Sequence, residues 1–256
     1  MILDSGIPHS ARIWNYWLQG TDNFESDRVA GEQILAVVPD LVTSARADRE
    51  FLARAVTFLA GEARVRQFLD IGSGLPTANN THEVAQRVVP GARVVYVDSD
   101  PLVLTQARAL LTSTGEGASD YVEADLRDPG TILTAASRTL DLGEPVAIML
   151  LGVLNFIIGD DEARAVLRRL IDAVPAGSYL VVSHPTTEVH GEAMSEAVRL
   201  WNSTGGAEMR LRDRAGVEAF FAGLDLLDPG VVTCSRWRAD GVAVSHYAGV
   251  ARVVTG

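Results

Sequence analysis

The chain has no lysine: all 22 basic residues among its 256 are arginine. Chemistry built on a lysine, from the phosphate-binding residue of a Walker A loop to a Schiff base, is therefore excluded. Cysteine is nearly missing as well. Cys234 stands alone, so neither an internal disulfide nor a cysteine-built zinc site can be assembled. The longest uncharged apolar stretch, Pro145 to Gly159, has 15 residues, short of the roughly 20 that a membrane-spanning helix needs. No basic start followed by an apolar run opens the chain, so no secretion signal is read there; a cytoplasmic location and no membrane partner are expected. Positive charge is scarce too, with 22 bases against 33 acids and a net charge of -11. Such a surface repels a phosphate backbone, and nucleic acid is not expected as a partner. The five histidines form no H-E-x-x-H pattern and no close carboxylate cluster, so no metal is expected.

Periodicity supplies the organisation. Up to about residue 60 apolar residues recur at helical spacing, as in Ile34, Leu35, Val38 and Leu41, then Phe51, Leu52, Val56, Phe58 and Leu59. Residues 1–62 are read as a helical N-terminal segment and residues 63–256 as one compact α/β unit. After Arg66 short β-branched runs alternate with longer amphipathic ones. Strands are expected at Phe68–Ile71, Arg93–Val97, Tyr121–Glu123, Val146–Leu151 and Ser178–Ser183, and helices at Thr81–Val89, Pro101–Leu111 and Asp160–Ala173. This alternation makes a parallel sheet with helical crossovers. The tail differs: a helix over Asp213–Phe221 precedes extended segments at Leu224–Leu227, Val231–Cys234 and Val244–Val253. No crossover helix separates the last two, so they are antiparallel neighbours.

The segment FLDIGSGLPTANN follows the first strand, where a doubly wound sheet binds its nucleotide. Gly72 and Gly74 let the backbone turn tightly and approach a ligand. Asp70 lies just before them, and Asp98 closes the next strand 24 residues after Gly74, where a carboxylate accepts hydrogen bonds from ribose hydroxyls. A dinucleotide fingerprint, G-x-G-x-x-G, needs a third glycine three residues after Gly74, and the following LPTANN contains none. The acid ahead of the glycines faces a pyrophosphate unfavourably. It suits a ligand carrying an ammonium and a sulfonium, and S-adenosylmethionine has both.

The segments PHSARIWNYWLQGTDNF, FLDIGSGLPTANNTHEVAQ, ARVVYVDSDPLVL, ADLRDP and PAGSYLVVSH, with the late DPGVV and WR, resemble the actinobacterial S-adenosylmethionine-dependent methyltransferase family formerly catalogued as a domain of unknown function. The resemblance runs from about His9 to Arg238. It implies the class I methyltransferase fold, a Rossmann-like sheet of seven mostly parallel strands with an antiparallel last strand. Carried over by motif, Gly72, Ser73 and Gly74 contact the methionine portion, Asp98 takes the ribose hydroxyls, and Ser99 lies beside the adenine. Asp125 and Leu126 meet the adenine amino edge, and Gly152 lines the methionine side. The N-terminal motif is expected to close over the cofactor as a lid, touching it through Arg12, Tyr16 and Asn23. Thr21 stands where the family carries a basic residue and Asn155 where it carries histidine, which removes any role built on that histidine.

Trp14 and Trp17 are read first as packing anchors, with Tyr16 kept as a site residue. His184, directly after the fifth strand, is the candidate general base on the acceptor, although displacement at a sulfonium proceeds by positioning and does not require one. Glu188 to Gly206 is either a substrate cover or one more packing helix. The expected function is methyl transfer to a small-molecule acceptor, in specialised metabolism, with a homodimer left open. Competing readings are a cofactor-binding sensor without turnover, transfer of the aminocarboxypropyl group, and a nicotinamide-dependent oxidoreductase.

Overall fold

The computed structural model describes residues 6–76, 78–110 and 115–255. Three helices come first: α1 (Ser10–Trp17), α2 (Glu25–Val37) and α3 (Leu41–Gly61). The alternating series follows as β1 (Gln67–Ile71), α4 (Thr81–Val88), β2 (Arg93–Asp98), α5 (Pro101–Leu110), β3 (Ala118–Glu123), α6 (Pro129–Ala136), β4 (Ala147–Leu151), α7 (Asp160–Ile171) and β5 (Tyr179–Pro185). Then come α8 (Gly191–Ser203), α9 (Arg214–Glu218), β6 (Asp225–Leu226), β7 (Val232–Thr233) and β8 (His246–Arg252).

The sheet order is β3-β2-β1-β4-β5-β8-β6, with β7 pairing β8 off that path. Strands β1 to β5 run parallel. The last strand, β8, lies antiparallel to β5, and β6 and β7 are antiparallel to β8. The expected class I architecture is thus present, with one short strand more than the seven expected. Three further differences concern the tail and α6. The helix expected over Asp213–Phe221 is a five-residue α9 followed by a 3₁₀ turn at Ala219–Phe221. The strand expected at Val231–Cys234 is a two-residue ladder that gives way to another 3₁₀ turn at Cys234–Arg236. Helix α6, whose Pro129 sits at its start under an Asp128 cap, escaped the sequence reading. Leu111, the expected end of α5, lies outside the described residues.

Because β-strand side chains alternate between faces, the sheet feeds two cores. On one face Phe51, Val56 and Leu59 of α3 and Val84 of α4 pack on Phe68, Val94, Met149, Val181 and Val250. On the other, Ile132 of α6 and Val166 and Leu170 of α7 pack on Leu69, Val95, Ile148, Leu180 and Tyr247. Helix α3 therefore belongs to the sheet although it was read with the N-terminal segment. A third core joins Ile13 and Trp17 of α1, Ile34 of α2, Leu41 at the start of α3, and Met194 and Trp201 of α8. This helical cover stands over the carboxyl ends of β1 and β4, where the strand order reverses direction. No helix among the described residues is long and apolar enough to cross a membrane.

Phe51 is wholly buried, its ring edge-on to Trp237 at 5.5 Å between centroids. Phe51→Ala should cost about 3–5 kcal/mol of stability by opening a cavity in this core, read as a lowered urea midpoint with an unchanged m-value.

Candidate functional site

A cavity of about 340 Å³ opens at the β1/β4 reversal, beneath the helical cover. Ligands of open α/β sheets bind at such a switch point. Its floor is the turn after β1. Gly72 has φ +75°, and a Cβ there would stand 2.5 Å from Val153 in the turn after β4, so both conformation and space demand glycine. Its N–H donates to the carbonyl of Val97 at 2.8 Å, tying this turn to β2. At Gly74 and Gly152 an added Cβ would meet no protein atom within 4 Å. Both line the cavity, which leaves their backbone open to a ligand.

Three carboxylates surround that floor. Asp98, nearly enclosed, accepts from the N–H of Gly74 at 2.9 Å through Oδ2 and from that of Asp100 at 2.9 Å through Oδ1. Burial pushes its pKa up, against those two hydrogen bonds. A carboxylate has about four acceptor positions, so Asp98 can take two more donors. Asp70 accepts from Thr81 Oγ1 at 2.6 Å, and burial raises its pKa to about 6. Asp48, from α3, is raised to about 6 by the same cause, eased by the Ser183 hydroxyl, and its Oδ1 has no hydrogen-bond partner. Next to it in sequence, Arg49 reaches the carbonyls of Ala78 and Asn79 at 3.3 and 3.1 Å, while its buried Nε is unpartnered.

Ser73, Ser99, Asp125 and Leu126 also line the cavity. Asp125 accepts from the N–H of Arg127 at 2.8 Å, and Arg127 Nη2 donates to the carbonyl of Phe156 at 2.6 Å. The structure thus brings together Asp70, Gly72, Ser73, Gly74, Asp98, Ser99, Asp125, Leu126 and Gly152 as the sequence suggested.

The expected lid contacts fall elsewhere. Arg12 is buried against Asp27, 2.9 Å away. The Tyr16 hydroxyl donates to Glu32 at 3.0 Å on the exposed side of the cover. Asn23 donates to Asn15 Oδ1 and to the carbonyl of Gly20, both at 2.9 Å. None of the three lines the cavity; His9, Trp14, Asn15, Trp17 and Leu18 do. Arg12, Tyr16 and Asn23 brace the cover from behind.

His184 is likewise displaced, and strand alternation is the reason. Pro185 faces the cavity, so its neighbour His184 turns to the opposite face of β5. There it is fully buried, with Nδ1 2.8 Å from the carbonyl of Pro185 and Nε2 2.9 Å from Arg212 Nη1. These partners assign the proton to Nδ1 and leave Nε2 accepting from Arg212. Burial, with the Arg212 charge behind it, pushes the pKa down to about 3. Both ring nitrogens are occupied, and neither reaches a molecule in the cavity.

Arg212 and Asp48 are functional candidates that the sequence reading missed. Arg212, itself buried, donates to the carbonyls of Leu154 and Ile157 at 3.2 and 2.8 Å and to Asp160 at 2.8 Å. It thereby fixes the turn after β4, whose Val153, Asn155 and Phe156 form a wall. Nothing in MRLRDR advertises this. Asp48 did leave a signal: it sits on the buried stripe of α3 with Ser44, Ala45, Phe51 and Leu52, where an acid needs a reason.

The S-adenosyl methyltransferase family model matches residues 1–254. The chain belongs to this family. A DUF574 family protein from Streptomyces avermitilis is 42% identical, with a TM-score of 0.95 over 98% of this chain and 100% of that one. A Thermobifida fusca protein named as a candidate methyltransferase is 39% identical, with a TM-score of 0.90 over 99% and 97%. The N-methyltransferase NodS of Bradyrhizobium japonicum, in complex with S-adenosyl-L-homocysteine, shares the fold at 11% identity, with a TM-score of 0.51 over 82% and 87%. No curated protein matches the chain. This S-adenosyl methyltransferase takes S-adenosylmethionine as its cofactor, in place of the nicotinamide of the competing reading. The residues present fit that molecule: open glycine backbone, an acid with one unpartnered oxygen beside an arginine for an amino-acid zwitterion, and a carboxylate with acceptor positions left over.

Asp48 binds a proton in the fold at a pH where the unfolded chain, titrating near 3.9, has lost it. Stability from this group is therefore present below about pH 4 and is lost as pH rises towards 6. Asp48→Asn should leave acid stability unchanged and raise stability at neutral pH by on the order of 1–3 kcal/mol, measured by denaturant midpoints across that window. Asp70, shifted the same way, keeps part of the slope.

Proposed function

We propose that the chain transfers the methyl group of S-adenosylmethionine to a small-molecule acceptor, in specialised metabolism, and that residues 1–62 supply the lid of the site. The observation that carries this reading is that one cavity joins the glycine turn and its carboxylates to an apolar chamber under the cover.

Backbone of Gly72, Ser73, Gly74 and Gly152 takes the methionine portion, with Asp48 and Arg49 receiving its ammonium and carboxylate and Asp70 adding negative charge nearby. Asp98 accepts from the ribose hydroxyls. Ser99, Asp125 and Leu126 flank the adenine. When bound, the cofactor supplies an electrophilic methyl on sulfur with a neutral thioether as leaving group. The chain's share is to align the acceptor on that methyl and to exclude water, which suffices for much of the acceleration. The apolar half of the cavity lies under the helical cover, which favours a small acceptor over a macromolecule.

Asp98→Ala should weaken S-adenosylhomocysteine binding by on the order of 1.5–3 kcal/mol, the worth of hydrogen bonds to a charged group, with calorimetry as the readout. Unchanged affinity would put the ribose elsewhere. Release of S-adenosylhomocysteine with a panel of acceptors tests turnover, and tight binding without release in any extract would favour a sensor. Product mass separates methyl from aminocarboxypropyl transfer.

A further inference from the structure

The half of the cavity away from the glycine turn is built almost wholly from the cover: Trp14, Trp17, Ile34, Met194, Trp201 and Met209. Of the ionisable side chains that line the cavity, Asp48, Arg49, Asp70, Asp98, Asp125 and Arg127 belong to the floor and the adenine side, and His9 is paired with Asp100, 3.1 Å away, beside them. An anionic acceptor would find no cation among the described residues of the cover half, whereas a flat apolar ring would meet indole faces and thioether sulfur.

One titratable group looks into this half from the sheet. His246 opens β8 and pairs across the ladder with Pro185, while Tyr247 pairs with His184. Paired residues share a face, so His246 comes out on the cavity side with Pro185, as His184 does not. It is 4% exposed, its ring lies edge-on to Trp14 at 5.6 Å, and its Nδ1 is buried with no hydrogen-bond partner among the described residues. A buried imidazole nitrogen without a partner is an exception that calls for one.

Resting on the methyltransferase reading, we propose that the acceptor is a compact, uncharged phenol and that His246 receives its hydroxyl hydrogen. The phenol oxygen forms a bond to the methyl carbon as that carbon parts from sulfur, which keeps the bond pair. The hydroxyl proton passes to a free ring nitrogen of His246, and water removes it when the products leave. Burial pushes the His246 pKa down to about 4, so the ring is neutral and able to accept at physiological pH. Asn155, 1% exposed with an unpartnered Oδ1, is a second buried polar group of the same cavity.

The test uses the whole protein, labelled with 15N-histidine and saturated with S-adenosylhomocysteine. It is titrated with 4-methylphenol and, in turn, with 4-methylanisole, 4-methylaniline and 4-methylbenzoate. We expect 4-methylphenol to bind and to move the ring-nitrogen resonances of His246 among the five histidines. His246→Phe should weaken that binding about tenfold, and His246→Gln, which still offers an acceptor oxygen, should restore most of it. The ether, the aniline and the benzoate should bind more weakly than the phenol. Equal phenol affinity in His246→Phe and the wild type, a shift at another histidine, or no phenol binding would overturn the proposal. So would any of the three analogues binding as tightly as the phenol. If His246→Phe fails to fold, the resonance shifts and the Gln variant decide. S-adenosylhomocysteine affinity, expected unchanged in both variants, separates the outcomes: its loss in the wild type itself would sink the methyltransferase reading.

Discussion

The site depends on a carboxylate kept out of water. Asp98 ends β2 where solvent barely reaches, and it is held there by two backbone N–H groups, one from the next residues of its own loop and one from the glycine turn after β1. Such hydrogen bonds to a charged acceptor are among the stronger ones a fold can make. They make the turn and the acid a single unit: Gly74 cannot move without leaving a buried charge short of a donor. The contact of Gly72 with Val153 extends that unit to the turn after β4. Arg212 then secures the same β4 turn from the far side through two of its carbonyls. The cavity floor is thus fixed from both faces of the sheet.

Above this floor the polar inventory changes. The cover supplies indole, thioether and aliphatic surface, and its own polar groups are spent internally, as in the Arg12–Asp27 pair and the bonds of Asn15 with Asp22 and Asn23. Desolvated acids below and apolar surface above make one chamber with two chemical characters, which suits a cationic cofactor beside a neutral partner.

Much of this was legible in the sequence, because it rests on local rules. The alternation of strand and helix, the antiparallel end, the turn at Gly72 and Gly74, and the acids at Asp70 and Asp98 all leave short-range signatures. What failed needed tertiary knowledge. His184 and His246 each stand at a strand end, and only the pairing of β5 with β8 says which of them reaches the cavity. A one-residue difference in parity reverses the answer. Arg12 and Tyr16 lie in the motif that covers the site yet point away from it, since a helix presents every face and only one can line a chamber. Asp48 and Arg49 lie on a helix whose periodicity is carried by its apolar members, and only the packing of α3 on the sheet turns that acid towards the cavity.

Helix α3 takes part in two cores at once, its first turn in the cover and its later turns on the sheet. At 21 residues and about 1.5 Å of rise for each, it is a strut about 31 Å long that fixes the height of the ceiling above the floor. The headroom for a guest is accordingly set by a rigid rod.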